Sequence, residues 1–244
     1  MSVRIGTSGW SYDHWQGILY PEHTPVGKRL AYYLPRYNTV EVNNTYYRWP
    51  PEKTFEGWRE KLPPGFLMTV KAPRGLTHYS RLHEPEEWIR RICSGIARLE
   101  DRLGVLLIQL PPRFGWNQDR LARFLGTMPG WVRMAFEFRD PSWHRAEVFD
   151  LLERHNAAYV VMSGAKLPCI LRATASFVYI RFHGPDTEHL YAGSYSDADM
   201  GWWADRIREW EAQPRIHDVF AYFNNDSFGN ALRNADTLKR FLGQ

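Results

Sequence analysis

Eight apolar runs that each end on polar or charged residues recur along this chain of 244 residues, and they constrain its fold more than any other feature. Segments with helical periodicity separate the runs, and a spacing of about 30 residues suits a strand–helix–strand unit. The polar ends are IGTSGW at 5–10, EVNN at 41–44, KAPRGLTH at 71–78, QLPP at 109–112, EFRDPSW at 137–143, SG at 163–164, RFHG at 181–184 and NND at 224–226. Eight such units predict a (β/α)8 barrel of parallel strands, a TIM barrel.

Apolar runs bounded by polar, Gly and Pro residues place the eight strands. They are predicted at Arg4–Trp10, Thr39–Tyr46, Phe66–Ala72, Gly104–Pro111, Val132–Phe138, Ala158–Met162, Phe177–Phe182 and Asp218–Phe223. Helical periodicity lies between most of them, with Asn117 and Asp197 as predicted N-caps. The helix between the sixth and seventh strands is expected to be short or missing, because residues 164–176 are few and include Pro168.

The length of the chain favours one barrel domain over residues 1–244, since about 250 residues is typical of this fold. No Gly/Ser linker, charge block or low-complexity tract divides the sequence. The main rival is a doubly wound open sheet, which usually carries a Gly-rich phosphate turn after its first strand. GTSG at 6–9 has two glycines and lacks the third, so it matches that turn poorly.

The net charge and the hydropathy of the chain restrict the kinds of ligand and partner that we expect. A net charge of +4 permits an anionic ligand but falls short of the dense basic surface typical of nucleic-acid binding. The chain starts without a secretory signal pattern, and no apolar run approaches the roughly 18 residues of a membrane span. We therefore expect a cytoplasmic protein without membrane association. The sequence does not determine the oligomeric state.

Alternation along the strands brings charged side chains to one face near the carboxyl ends, where TIM barrels build their active sites. The residues that share the inward face are Glu41 with Asn43, Glu137 with Arg139, and Arg181 with His183, while Phe136, Phe138, Ile180 and Phe182 face the helices. Lys71, Gln109 and Asn224 end three other strands. Isolated charges inside a barrel cost several kcal/mol, so they must pair with one another or face a ligand.

Two interpretations of these charges remain open. A buried ring of ion pairs would stabilise one end of the barrel, and for Glu41 with Lys71 this is as plausible as catalysis. For the whole set a ligand site is the better interpretation, because many charges at one place are poor stabilisers. We predict Glu41, Lys71, Glu137 and His183 as catalytic residues. His78 could also transfer protons, and the rings of Trp10, Tyr46 and Trp143 could form flat walls against a substrate.

The same residues favour a metal site less than a metal-free site. Glu41, Glu137, His183 and Asp226 could in principle supply ligands. Lys71, Arg139 and Arg181 would repel a divalent ion at that place, so we expect neither a metal nor another cofactor.

The ordered motifs GTSGW (6–10), YP (20–21), VEVNNTYY (40–47), TVKAPRGLTH (69–78), LLIQLPPRF (106–114), FEFRDPSW (136–143), YIRFHG (179–184) and YFNND (222–226) resemble the DUF72 family, also called YecE-like. The resemblance spans the chain and implies a TIM barrel of unassigned activity. The family's motif positions fall on Trp10, Glu41, Asn43, Tyr46, Lys71, His78, Gln109, Glu137, Arg139, Trp143, Arg181, His183, Asn224 and Asn225. Apart from the four residues predicted as catalytic, all of these positions are predicted to bind the substrate. One departure is Ser163, where many members have an acidic residue after strand six.

Three functions compete at this point. The first is a metal-independent isomerase, lyase or hydrolase acting on a polar anionic small molecule such as a phosphorylated or acidic sugar, with Lys71, Arg139 and Arg181 holding the anion. The second is a nucleic-acid-processing or nucleic-acid-binding protein, for which loop arginines such as Arg74 and Arg81 would contact phosphates. The third is a non-catalytic ligand sensor or scaffold that uses the same charged residues only to bind.

Overall fold

The computed structural model describes residues 2–244, and within them eight parallel strands form a nearly closed barrel with helices between them. Neighbouring strands follow the order β1-β8-β7-β6-β5-β4-β3-β2. The strands are β1 Ser2–Thr7, β2 Thr39–Val42, β3 Leu67–Lys71, β4 Leu103–Leu110, β5 Met134–Phe138, β6 Ala158–Ser163, β7 Phe177–Phe182 and β8 Asp218–Phe223. The predicted TIM barrel is confirmed.

Eight α-helices accompany the strands within residues 2–244. They are α1 Arg29–Tyr33, α2 Asn44–Tyr47, α3 Glu52–Arg59, α4 Glu86–Ile96, α5 Gln118–Thr127, α6 Ala146–Arg154, α7 Asp197–Glu211 and α8 Asn230–Phe241. No helix forms in residues 164–176, as the sequence predicted. The side chain of Asn117 caps α5 as expected, whereas α7 is capped one residue earlier than predicted, by Ser196.

The carboxyl end of strand β2 differs most from its predicted position, because the strand ends at Val42 rather than at Tyr46. Asn43 already has helical backbone angles, and α2 follows immediately. The hydroxyl of Thr45 lies 3.1 Å from the carbonyl oxygen of Val42 and 2.7 Å from that of Lys71, so it holds this turn against the end of β3. Asn43 therefore does not share a strand face with Glu41, and that prediction was wrong.

The predicted helix-facing side of the strands is confirmed in two places. The ring of Phe136 on β5 packs edge-on against Phe124 of α5, with centroids 5.9 Å apart. Phe182 on β7 packs in the same way against Trp203 of α7, at 5.1 Å. These aromatic side chains fill the layer between strands and helices, which leaves Glu137, Arg181 and their strand-face neighbours on the opposite side.

The chain divides into two compact units. The first unit comprises the residues up to Glu41 together with Val161–Arg172 and Ser176–Gln244, and the second comprises Val42–Val160 and Ala173–Ala175. Strand β8 pairs with both β1 and β7 in the first unit, and β4 pairs with both β3 and β5 in the second. The single domain expected over residues 1–244 remains a prediction.

Candidate functional site

The first unit contains a buried ion pair between Glu41 on β2 and Arg181 on β7. Nε and Nη2 of Arg181 donate to the two carboxylate oxygens at 2.9 and 2.7 Å. The hydroxyl of Tyr179 donates to Oε2 at 2.6 Å and that of Ser8 to Oε1 at 2.7 Å. Each oxygen therefore accepts from one guanidinium nitrogen and one hydroxyl, which fills the acceptor capacity of a carboxylate.

This saturation fixes the charge state of the group. Burial alone would raise the pKa of Glu41, but the charge of Arg181 and the hydrogen bonds from Arg181, Tyr179 and Ser8 outweigh it and lower the pKa. Burial and the adjacent Glu41 carboxylate hold the pKa of Tyr179 well above its usual value. The cluster links the ends of three strands in the first unit. The proton-transfer role of Glu41 and the anion-binding role of Arg181 remain predictions.

His183 follows β7 and is fully buried. Its backbone N–H donates to the carbonyl oxygen of Ser163 at 2.7 Å, and the hydroxyl of Tyr195 donates to the same oxygen at 3.0 Å. Nδ2 of Asn224 lies 3.4 Å from Nδ1 of His183, and the ring of Tyr191 covers the imidazole with centroids 5.4 Å apart. At the position where the family often has an acid, the backbone of Ser163 thus anchors the residue that we predicted as catalytic.

Asn225 has a structural explanation within the first unit. Its Nδ2 donates to the carbonyl oxygen of Gly193 at 3.0 Å and to Oδ1 of Asn234 at 2.8 Å. Asn234 also bonds both backbone groups of Tyr195. This network ties the loop after β8 to the loop after β7, so the substrate contact predicted for Asn225 is not needed to explain its burial.

The second unit contains another buried ion pair, between Glu137 and Arg139 on and after β5. The guanidinium of Arg139 donates to Oε1 of Glu137, and both side chains are almost fully buried. Gln109 on β4 is the register partner of Glu137, so its side chain projects from the adjacent strand at the same level. The sequence placed Glu137 and Arg139 on one face, and the structure brings them into contact.

Lys71, Tyr46 and His78 form a group in the same unit. Nζ of Lys71 lies 4.7 Å from the centroid of the Tyr46 ring, a cation–π contact, and the His78 ring packs edge-on against Tyr46 at 5.1 Å. Nδ1 of His78 is 2.9 Å from the hydroxyl of Thr77. Burial and the charges of Lys71 and Arg139 lower the pKa of His78 from 6.5 to about 4. The imidazole is therefore neutral at pH 7, with one N–H donor and one lone pair.

Two of the predicted aromatic walls differ in exposure. Trp143 is fully buried: its ring stacks on Phe138 with centroids 4.8 Å apart, and its indole N–H donates to the carbonyl oxygen of Phe114. Such packing makes Trp143 a support for the loop after β5. Trp10, in the loop after β1, is partly exposed. Substrate stacking by either ring remains a prediction.

Sequence reasoning missed two features of these clusters. Tyr179 lies two residues before Arg181 on β7, and the same alternation that selected Arg181 would have identified it. The second feature is an exposed group in the second unit, where the guanidinium of Arg74 lies 5.9 Å from the centroid of Tyr47 and 5.6 Å from that of Tyr79. Both tyrosines follow predicted strand ends, but exposure cannot be derived from sequence alone.

Among residues 2–244, no three side chains of His, Cys, Asp or Glu are grouped as metal ligands would be. No helix in this part of the chain is both long and apolar enough to cross a bilayer. A metal-free site and a cytoplasmic location remain predictions.

Comparison with known proteins places the chain in a family. UPF0759 protein YunF of Bacillus subtilis (strain 168) is 27% identical over 98% of this chain and 94% of its own length. The crystal structure of a DUF72 family protein from Thermotoga maritima MSB8 is 31% identical, covers both chains completely and superposes with a TM-score of 0.89. A glycoside hydrolase family 30 xylanase from Clostridium acetobutylicum, 9% identical over 99% of this chain and 71% of its own, shares the fold alone at a TM-score of 0.53. The family model described as protein of unknown function DUF72 matches residues 4–244, and the chain belongs to that family.

Proposed function

We propose that this protein is a metal-independent enzyme that acts on a small polar anion, such as a phosphorylated or acidic sugar, bound beside Lys71, Arg139 and His78. The observation that carries the proposal is the contact of both Lys71 and His78 with the ring of Tyr46. Burial and, after it, the charges of Lys71 and Arg139 lower the pKa of His78, and these two charges favour an anion at that place. The ring contacts of Tyr46 with Lys71 and His78 add a flat surface of the kind that sugars pack against.

Each residue has a distinct task in this proposal. Lys71 and Arg139 hold the anion through charge-assisted hydrogen bonds, and Glu137 orients the guanidinium of Arg139. His78 stays neutral, so it can donate a hydrogen bond to the substrate or accept a proton from it, as a neutral imidazole does in isomerases. Arg181 is not assigned a role at this site, because it pairs with Glu41 within the first unit. Isomerase, lyase and hydrolase reactions all fit this set.

An NMR titration of His78 tests the proposal directly. A bound phosphate should cancel part of the field of Lys71 and Arg139, so the pKa of His78 should rise from about 4 when inorganic phosphate or a sugar phosphate is added. Lys71→Met should weaken phosphate binding by about 1.5–3 kcal/mol, the contribution of one charged hydrogen bond. The resonances of His155, an exposed residue after α6, serve as the internal control and should not move.

Two results would contradict the proposal. If neither phosphate, sulfate nor any sugar phosphate shifts the pKa of His78, no anion binds there. Equal phosphate affinity in the wild type and in Lys71→Met would also contradict it, and would favour the sensor or scaffold function for other ligands.

A second candidate function, nucleic-acid binding, is favoured by one observation. Tyr47 and Tyr79 are 68% and 70% exposed and flank the guanidinium of Arg74. Exposed aromatic rings beside arginine are the elements that stack bases and contact phosphates in single strands. Fluorescence anisotropy with a labelled single-stranded oligonucleotide should then show affinity that falls steeply with salt and drops in Tyr79→Ala. Salt-independent or absent binding would exclude this function.

A further inference from the structure

We propose that His14 and Asp226 form a second proton-transfer site, in the first unit, for a small hydroxyl- or ester-bearing compound that lies on the exposed ring of Phe228. This proposal is independent of the function proposed for the second unit. His14 follows β1 and Asp226 follows β8, and these two strands are hydrogen-bonded neighbours. The helical turn at Asp13–Trp15 packs against the turn at Ser227–Gly229.

The contacts of Asp226 orient the imidazole. Nε2 of His14 lies 2.8 Å from Oδ2 of Asp226, and the indole N–H of the fully buried Trp15 donates to Oδ1 at 2.8 Å. The Asp226 side chain is only 15% exposed, whereas that of His14 is 45% exposed. A mostly buried carboxylate fixed by two ring N–H donors is thus coupled to a histidine that reaches solvent.

This geometry decides which nitrogen of His14 is basic. A carboxylate only accepts hydrogen bonds, so Nε2 of His14 carries the proton and Nδ1 keeps the lone pair. Within residues 2–244, Nδ1 of His14 makes no hydrogen bond. Burial raises the pKa of Asp226 against the opposing contributions of Trp15 and His14, so the carboxylate is a stronger acceptor than an exposed one. The arrangement has the partners of the acid–histidine half of a catalytic triad, with the roles of the two ring nitrogens exchanged.

A binding surface lies next to the pair. Phe228 is 84% exposed and has a left-handed backbone, with φ of 58°, a conformation that is costly for a bulky residue. Gly229, also left-handed, follows it, and a side chain there would meet Ile18, which is 42% exposed. Backbone strain of this kind concentrates at functional sites, and here it holds an aromatic ring in solvent.

A cation completes the surroundings. Nη2 of Arg233 donates to the carbonyl oxygen of Phe228 at 2.8 Å and to Oδ1 of Asn230 at 2.6 Å. These bonds fix the turn that carries Phe228, and the charge of Arg233 also acts on Asp226. Nε and Nη1 of Arg233 make no hydrogen bond within residues 2–244, so they can contact a polar group of the ligand.

The chemical step is an acyl transfer assisted by proton transfer. Nδ1 of His14 takes the proton of a hydroxyl group or of a water while that oxygen forms a bond to an ester carbonyl carbon, and the ring becomes imidazolium. Asp226 stabilises the added charge through the hydrogen bond from Nε2. His14 then returns the proton to the leaving oxygen as the original ester carbon–oxygen bond breaks, so the step requires no oxidant.

Carbethoxylation by diethyl pyrocarbonate, followed by site-resolved mass spectrometry, tests the pair. The reagent attacks an imidazole lone pair, so His14 should react readily in the wild type. Asp226→Asn should slow its reaction several-fold, because an amide can donate to Nε2 and move the proton to Nδ1. If the contact were merely a structural link, releasing His14 would instead expose it and speed the reaction. Equal or faster labelling of His14 in Asp226→Asn would overturn the proposal.

A loose His–Asp pair in the same unit is the matched control. Nδ1 of His189 lies 3.7 Å from Oδ1 of Asp186, and the His189 side chain is 80% exposed. Asp186→Asn should leave the labelling rate of His189 unchanged. A fall at His189 equal to that at His14 would show that any nearby carboxylate has this effect, and would also overturn the proposal.

Hydrolysis of 4-nitrophenyl acetate tests the binding surface. The wild type should hydrolyse this aromatic ester several-fold faster than His14→Gln, and Phe228→Asn should raise KM while leaving the labelling of His14 unchanged. Asn tolerates the left-handed backbone, so the variant should keep its fold. Wild-type hydrolysis no faster than that of His14→Gln would contradict proton transfer by His14. An unchanged KM in Phe228→Asn would remove Phe228 from the site.

Discussion

The two units each bury a glutamate–arginine pair, but the surroundings of the pairs differ. In the first unit, neutral hydroxyl groups of Tyr179 and Ser8 complete the hydrogen bonding of Glu41 with Arg181. In the second, Arg139 bonds Glu137 and acts together with Lys71 on the imidazole of His78. One pair has its acceptors filled by its own neighbours, and the other lies beside a titratable ring that burial and two cations keep neutral.

Burial of a charged pair therefore does not by itself indicate a binding site. A carboxylate with all its lone pairs used contributes to structure and to strand alignment. A cluster in which charge has displaced a pKa responds to any new charge placed beside it. Substitutions in the two clusters should therefore change the free energy of unfolding by different amounts.

The largest expected effect is on stability in the first unit. Glu41→Gln should lower the free energy of unfolding by about 3–5 kcal/mol, because it leaves the charge of Arg181 buried without its carboxylate. Urea denaturation followed by tryptophan fluorescence measures the loss. The double variant Glu41→Gln with Arg181→Met should recover a large part of it, since no charge then stays uncompensated.

The control for that prediction is an exposed pair. Glu52→Gln removes the carboxylate that Arg98 contacts at the surface of the second unit, and the urea midpoint should stay close to that of the wild type. If Glu41→Gln proved as harmless as Glu52→Gln, the first pair would not be the structural element that its hydrogen bonds indicate.

An intermediate effect is expected from pH in the second unit. The pKa of His78 is about 4 in the folded protein and about 6.5 when unfolded, so the unfolded chain binds the extra proton between these values. Stability should therefore be complete above pH 6.5 and fall as the pH drops from 6.5 to 4. Because His78 is only half-buried, we discount the contribution to about 1–2 kcal/mol.

Urea denaturation at pH 7 and pH 4.5 in the wild type and in His78→Gln measures this contribution. The variant should lose less stability on acidification than the wild type, because its glutamine does not titrate. Identical losses would mean that neither burial nor the charges of Lys71 and Arg139 lower the pKa of His78, and the contrast between the two units would disappear.

The smallest effect concerns the ring beside Lys71. Tyr46→Leu should cost about 0.5–1 kcal/mol of stability, the contribution of an exposed cation–π contact, because Tyr46 is only half-buried. Phosphate titration of this variant also measures how much the ring contributes to anion binding. A cost as large as that of Glu41→Gln would show that the second cluster is as structural as the first.

Local patterns in the sequence were sufficient for the architecture. Strands β7 and β8 were predicted with their observed bounds because polar residues bracket short runs rich in aromatic and β-branched residues. The same propensities extended the predicted β2 too far, since Thr45, Tyr46 and Tyr47 favour strands while no Gly or Pro marks the turn. Alternation along β5 likewise sufficed to place Glu137 and Arg139 together, because that relation spans only two residues.

Periodicity and motifs of a few residues were enough to predict the barrel, the family and the set of charged residues at the strand ends, because these features depend on local patterns. Which of the charges pair depends on folding. Arg181 reaches Glu41 across 140 residues of sequence, and His14 reaches Asp226 across 212. The neutrality of His78 was likewise beyond the sequence, because its pKa depends on burial and on cations brought close by folding.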